Sequence, residues 1–523
     1  MWPIAKQTLK AAIRYRFVVA MAVALLVIVF GIPLLVKSDG TAKGTVQLVL
    51  TYTLGSTTAL LGIASLWMGC GTLAREIEDN VMQMVAVKPI ARWRVWFGKW
   101  LGIMLLNAAL MVPTGLAIFF LINARADSSE LNEFEKAKLQ NEVLVSRSSV
   151  REPKPNFTFS RQRAYDYSKL VEQGKADNQY TPAEQALRMS VTQPEHVLSL
   201  RPDYTRLIEQ NENASSYELI QQIEELEHQA LQVAKGSREI VLPGQVRNWF
   251  FQIDSSKVDR INENPIYLRF KFNADDEYDP KSHTLSFSIG EGTSKRWPPE
   301  GAFKVMRRGS SAFHEEQLSH LPGDRTLKEI VPDKGPNKGL VRVHFVNQNS
   351  ERPIIFLMED GPMILYHDGG FGMNLFRGLL IIYFWLGLIS AIGLMASSFL
   401  SFPVATFMSL GILLISASTG TLEQIIDEGG ITGINHETGK KDESSMLDGA
   451  AIFFASGAVK ITKSIWGYSP VDSLSNGRTI TWATLFWAFF AIIVVMGGLI
   501  MALGAYMFHH KELALPNPTA SMN

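Results

Sequence analysis

Two apolar runs, Val46–Met68 and Trp100–Ile122, constrain this chain more than any other feature. Each is long enough to cross a bilayer as a helix, which takes about 20 apolar residues. Between them lies Leu73 to Lys99, LAREIEDNVMQMVAVKPIARWRVWFGK. Its Arg75, Lys88, Arg92, Arg94 and Lys99 place the loop in the cytoplasm by the positive-inside rule. Ile77, Val81, Met84 and Val85 recur at helical spacing, with Glu76, Asp79, Asn80 and Gln83 opposite. That pattern predicts an amphipathic helix over residues 73–88. Pro89 lacks a backbone donor and stops it, and a new helix begins near Arg92. A short helix held against the ends of two spans can receive a push from a soluble partner.

Four further apolar runs, Phe17–Val36, Leu375–Leu400, Phe402–Ser416 and Trp482–Met507, bring the expected spans to six and put both termini inside. Lys37, Lys43 and Arg377 fall at outer edges, where long side chains snorkel. Residues 2–14 set Lys6, Lys10 and Arg14 on one stripe and Trp2, Ala5, Leu9, Ala12 and Ile13 on another, a helix suited to the membrane surface and its lipid headgroups. In the second run Gly55, Gly62 and Gly69 recur every seven residues, a pattern that lets helices approach closely. Asn107 in the third is costly in hydrocarbon and is expected to bond across helices rather than to a substrate.

Most of the charge sits in residues 124–370, a soluble insert of domain size that interrupts the membrane unit and is expected on its extracytoplasmic side. The expected fold is therefore an α-helical polytopic membrane protein with an inserted α+β domain. Its membrane halves are residues 1–123 and 371–523, the second holding re-entrant or interfacial helices over 419–478. Residues 124–236 read as helical: Glu130–Val145, Pro182–Val191 and Ser215–Lys235. Residues 237–370 read as an antiparallel β-sandwich, with strands at Glu239–Leu242, Asn248–Ile253, Ile266–Phe272, Thr284–Ile289, Leu340–Val346 and Ile354–Met358. Cys70 is the single cysteine, so no disulfide can staple this domain and its own core must suffice.

With 50 Lys+Arg against 50 Asp+Glu, the net charge gives no reason to expect a nucleic-acid partner. The nearest string to a phosphate-cradling loop, Gly433 to Lys441, has five residues between its glycines and lacks the Ser/Thr. His314-Glu315 with His320 fails the zinc spacing, because the second histidine is not at i+4, and the segment reads instead as a solvated helix or loop. No catalytic, metal or cofactor residues are expected in this chain.

Arg75-Glu76-Ile77-Glu78, then Lys88-Pro89-Ile90-Ala91-Arg92-Trp93 and Phe97-Gly98-Lys99, resemble the E-I-E-x-G-T, K-P-I-x-R-W, x-G-K signature of ABC-2 type transporter permeases. Ser397 to Ala405 resembles the S-x-x-L-S-x-P-V-A hairpin of that family, and the N-terminal helix resembles its elbow helix. The chain departs at Asn80-Val81, where the family has Gly-Thr, and the resemblance covers residues 1–123 and 375–512 only. It implies a multi-pass permease of the inner (cytoplasmic) membrane, most often an exporter, paired with a second permease and with separate ABC ATPase subunits that hold the ATP. The implied coupling residues are Arg75, Glu76, Ile77, Glu78, Val81, Met84, Val85, Pro89 and Arg92. Glu76 and Glu78 are expected to pair with cations on the ATPase or with Arg75 and Arg92. A reading from another class is a membrane-anchored sensor whose outer domain binds a glycan or protein.

Overall fold

The structure is a computed structural model. It describes residues 1–14, 17–36, 41–79, 81–82, 90–127, 132–152, 239–261, 264–274, 282–289, 302–308, 310–318, 331–335, 337–349, 352–357, 360–418, 456–457, 459, 462 and 467–511. The chain divides into two compact units, residues 1–147 with 368–523, and residues 148–367.

The first unit is helical. Its helices are α1 (Trp2–Arg14), α2 (Phe17–Leu35), α3 (Ala42–Glu78), α4 (Arg92–Ala126), α5 (Glu133–Glu142), α6 (Phe371–Ser397), α7 (Phe402–Ala417), α8 (Pro470–Ser475), α9 (Trp482–Phe489) and α10 (Gly498–His510). A π-helical segment, Phe490–Gly497, joins the last two into one continuous rod. Among the described residues five helices are long and apolar enough to cross a membrane: α2, α3, α4, α6 and the rod from Trp482 to His510. The expected span at Phe402–Ser416 is a shorter apolar helix, α7, of 16 residues. At 1.5 Å per residue it reaches about 24 Å, short of the ~30 Å hydrocarbon core. A chain made of such helices is a membrane-embedded, multi-pass protein.

Small residues set the closest approaches. A Cβ built on Gly69 of α3 would stand 2.7 Å from the Ser390 carbonyl oxygen, and one on Gly393 of α6 would stand 2.8 Å from that of Leu66. Backbone meets backbone there, the arrangement that brings helices together where lipid supplies no hydrophobic drive. Of the heptad glycines, Gly62 has ordinary contact with Ile389 and Gly55 faces open space. A second seam joins α1 to α4, with Gly98 against Ile4 and Gly102 against Ala5 and Thr8. The face α1 buries is accordingly Ala5, Thr8 and Ala12, while Trp2 and Ile13 of the expected apolar stripe stay exposed. Asn107 makes the expected interhelical bond, donating to the Ser65 hydroxyl at 2.8 Å.

The two ends of this unit are closed by different polar contacts. At one, Arg125 donates to the Pro33 carbonyl, Lys43 pairs with Glu142 at 2.5 Å, and Asn374 both donates to Arg478 O and accepts from Ile480 N. The other collects α1, the end of α3, the start of α4, the α6–α7 turn and the end of α10.

The second unit is built on strands. In order they are β1 (Val145–Arg151), β2 (Ile240–Val241), β3 (Val246–Gln252), β4 (Tyr267–Ala274), β5 (Ser282–Ile289), β6 (Ala302–Arg308), β7 (Ser310–Gln317), β8 (Leu340–Val346), β9 (Ile354–Ile355) and β10 (Met363–Gly370). One sheet runs β1-β10-β4-β9-β2 with β7 also on β4; the other runs β3-β8-β5-β6. Both contribute to one core. Phe270 of β4 lies 4.9 Å from Phe287 of β5, whose ring is 5.1 Å from Phe345 of β8, and Trp249 and Phe356 close the cluster. Alternation along β8, with Val341, Val343 and Phe345 inward, is what makes it a half-buried strand.

Two expectations change. Among the described residues of the stretch expected as helix over Glu130–Val145, the helix is Glu133–Glu142 and is followed by β1, so residues 124–236 are not helical throughout. His314 and Glu315, read as helix or loop, lie on β7 opposite Phe270 and Arg269 of β4. Pro182–Val191 and Ser215–Lys235 fall outside the described residues. Residues 148–367 contain no cysteine and are expected to fold alone without oxidant. Within that fragment Phe345→Ala should cost about 3–5 kcal/mol, read as a lower urea midpoint. A coil-like circular dichroism spectrum of the fragment would show that it depends on the membrane unit.

Candidate functional site at the charged end of the helices

The charged end of the first unit is assembled from four helix termini. Helix α3 does not stop at the membrane edge but continues through Arg75, Glu76, Ile77 and Glu78, ending on Asp79. The separate helix expected over 73–88 is corrected to this extent: residues 73–78 are the last turns of the span itself. One helical stripe turns Glu76 toward α4, where its carboxylate meets the Lys99 ammonium at 2.6 Å. Lys99 is 3 % exposed and also donates to the Thr72 carbonyl at 3.0 Å. A charge that deep is tolerated because it is paired and hydrogen-bonded.

Glu78, two residues on, reaches a different helix. Its Oε1 accepts from the Phe402 N–H at 2.8 Å, the first residue of α7. Ser401, at the N-cap position, makes no side-chain cap bond of its own. The Phe402 ring is held in turn by the Arg75 guanidinium 4.3 Å above it and by Trp67, edge-on at 5.1 Å. Arg92, which opens α4, turns to the end of α10. It donates through Nη1 to the carbonyls of Phe508, His509 and Lys511 at 2.8, 2.7 and 2.9 Å. Those are carbonyls that the end of a helix leaves without an internal partner. Burial pushes the Lys511 ammonium below the ordinary lysine range, and the Glu78 carboxylate opposes that shift.

Of the residues expected to couple to a partner, the structure brings Arg75, Glu76, Glu78 and Arg92 together, and binds all of them within the chain. Glu76 and Glu78 pair with neither Arg75 nor Arg92 but with Lys99 and a helix N-terminus. Ile77 packs into the helical core beside Met82, which is 2 % exposed. Val81 is 38 % exposed, as is Ile90, and Trp93 is 49 % exposed. Met84, Val85 and Pro89 lie outside the described residues. The apolar stripe is thus divided, with Ile77 inward and Val81 outward.

Sequence reasoning missed Lys99 as a buried pair and missed Phe402 as the residue on which α3 rests. The signal for the first was present in the Glu76-to-Lys99 opposition of charge across a loop; nothing in the sequence marked the second. Among the described residues no three His, Cys, Asp or Glu side chains are placed to hold a metal ion. Comparison with protein families, with curated proteins and with solved structures finds no match to this chain.

Proposed function

We propose that this chain is the permease subunit of an ABC transporter of the ABC-2 type. Two copies, or this chain with a related one, would form the pathway, and separate ATPase subunits would bind and hydrolyse ATP. The observation that carries the reading is the ordered string Arg75 to Lys99. Its resemblance to the family's coupling segment is joined by a physical one: its charged residues tie together α3, α4, α7 and α10, so force applied there reaches much of the helical unit. In this reading the charged end is cytoplasmic, the membrane is the inner one, transport is outward, and α7 is the sixth membrane segment. The strand-rich unit is then an extracytoplasmic sandwich that meets a protein or glycan.

Among the described residues, the surface left for the ATPase is the exposed apolar set Val81, Ile90 and Trp93 rather than the carboxylates. Val81→Asp is expected to leave the chain in the membrane and to lower capture of the ATPase at least tenfold, a loss of about 1.4 kcal/mol. Capture is measured as ATPase bound per tagged permease after co-expression. Unchanged capture would overturn the docking assignment. Wild-type chain that binds no ATPase would overturn the transporter reading in favour of a membrane-anchored binding protein.

A further inference from the structure

Glu78 and Arg92 flank the loop between α3 and α4, and each closes a terminus of a helix remote in sequence. Glu78 is an anion on the N-terminus of α7, and Arg92 is a cation on the C-terminus of α10. A helix carries partial positive charge at its start and partial negative charge at its end, so both signs match. Geometry agrees with charge. The carboxylate oxygen sits 2.8 Å from the Phe402 N–H, and the guanidinium collects three terminal carbonyls between 2.7 and 2.9 Å. Among the described residues neither helix has a local substitute: α7 has no side-chain cap at Ser401, and the cap residue of α10, Lys511, gives its backbone N–H to Met507.

From this arrangement we infer that Glu78 and Arg92 form a two-ended clasp that passes displacement of the α3–α4 loop to α7 and to α10 separately. The inference rests on the functional reading above for its partner, and it adds which helices the partner moves. Arg75 and Trp67 belong to the same device, because they grip the Phe402 ring and keep the α7 terminus within reach of Glu78. Lys99 does not: its pair with Glu76 joins only the two helices that the loop already connects.

The test uses the full chain in nanodiscs, in a Cys70→Ala background, with nitroxide labels introduced as Phe407→Cys or Tyr506→Cys. Both positions are exposed, at 80 % and 64 %, one on α7 and one on α10. Without any ATPase, Glu78→Ala should raise nitroxide mobility at position 407 and leave 506 unchanged. Arg92→Ala should do the reverse. Glu78→Gln, which keeps an acceptor oxygen, should restore most of the order at 407. Unchanged mobility at both positions in both alanine variants would overturn the clasp, and so would loosening of both labels by either one.

With the ATPase and a non-hydrolysable ATP analogue present, each label should move relative to a reference label on Val112→Cys. Glu78→Ala should abolish the movement at 407 alone while ATPase capture stays within twofold of wild type. Loss of capture would make Glu78 a docking residue and overturn the proposal. The ATPase-free arm stands by itself, so a wild-type chain that captures no ATPase refutes the functional reading without deciding the clasp.

Discussion

Gly69→Ala is expected to prevent α3 and α6 from closing. The added methyl would meet the Ser390 carbonyl oxygen at 2.7 Å and the Gly393 Cα at 3.2 Å. Both are backbone, so no side chain can turn aside; a whole helix would have to shift. Forcing extra carbon into a packed interface costs about 1–3 kcal/mol and sometimes more, and Gly393→Ala, facing Leu66 O and Cys70 N, should cost a similar amount. Two positions on the same helix supply the controls. Gly62 has only the Ile389 methyl at 3.5 Å, and Gly55 has nothing within 4 Å. Gly55→Ala should be neutral or stabilising by up to about 1 kcal/mol, through helix propensity alone. Size-exclusion profiles of detergent-solubilised protein after graded heating would rank the variants. Equal tolerance of alanine at positions 55 and 69 would mean that the α3–α6 seam is not built on backbone contact.

Removing Glu76 should destabilise the chain rather than merely weaken a docking surface. The Lys99 ammonium, 3 % exposed, would keep only the Thr72 carbonyl. Stranding one member of a buried ion pair costs roughly 3–5 kcal/mol. The Glu76 side chain is 36 % exposed, and water at its edge places the expected loss toward the lower figure. Lys99→Met should be milder, since it leaves behind a carboxylate that water can reach. The double variant Glu76→Gln with Lys99→Met should recover most of the loss, because no charge then remains buried. Thermal denaturation of wild type, Glu76→Gln, Lys99→Met and the double variant completes a double-mutant cycle. A coupling near zero would remove the pair from the structural account. Reduced ATPase capture by Glu76→Ala at normal stability would return Glu76 to the docking surface.

Length and apolarity alone mark the long spans, since a run such as Trp100–Ile122 has no other stable use in water or in lipid. They also mark α7 as apolar, but not whether it crosses: its 16 residues are anchored at Phe402 by Glu78 and Arg75. Strand β8 was legible because its side chains alternate between core and surface. Strands β7 and β10 were not. SSAFHEEQ is too polar and MILYHDGG too unbroken to show a period of two, and each is a strand because β4 pairs with it.

The candidate site divides in the same way. The sequence by itself determined that a charged, Pro-interrupted loop joins two spans, and that its cations bias it to one side of a membrane. Only the tertiary structure decided what those charges do. Thr72 and Glu76 surround Lys99 because α3 runs beside the start of α4, and Arg92 finds the carbonyls of residues 508–511 because α10 ends against it. Electrostatic partners are chosen by distance within the folded unit, and Glu78 with Phe402 or Arg92 with Phe508 are separated by hundreds of residues along the chain.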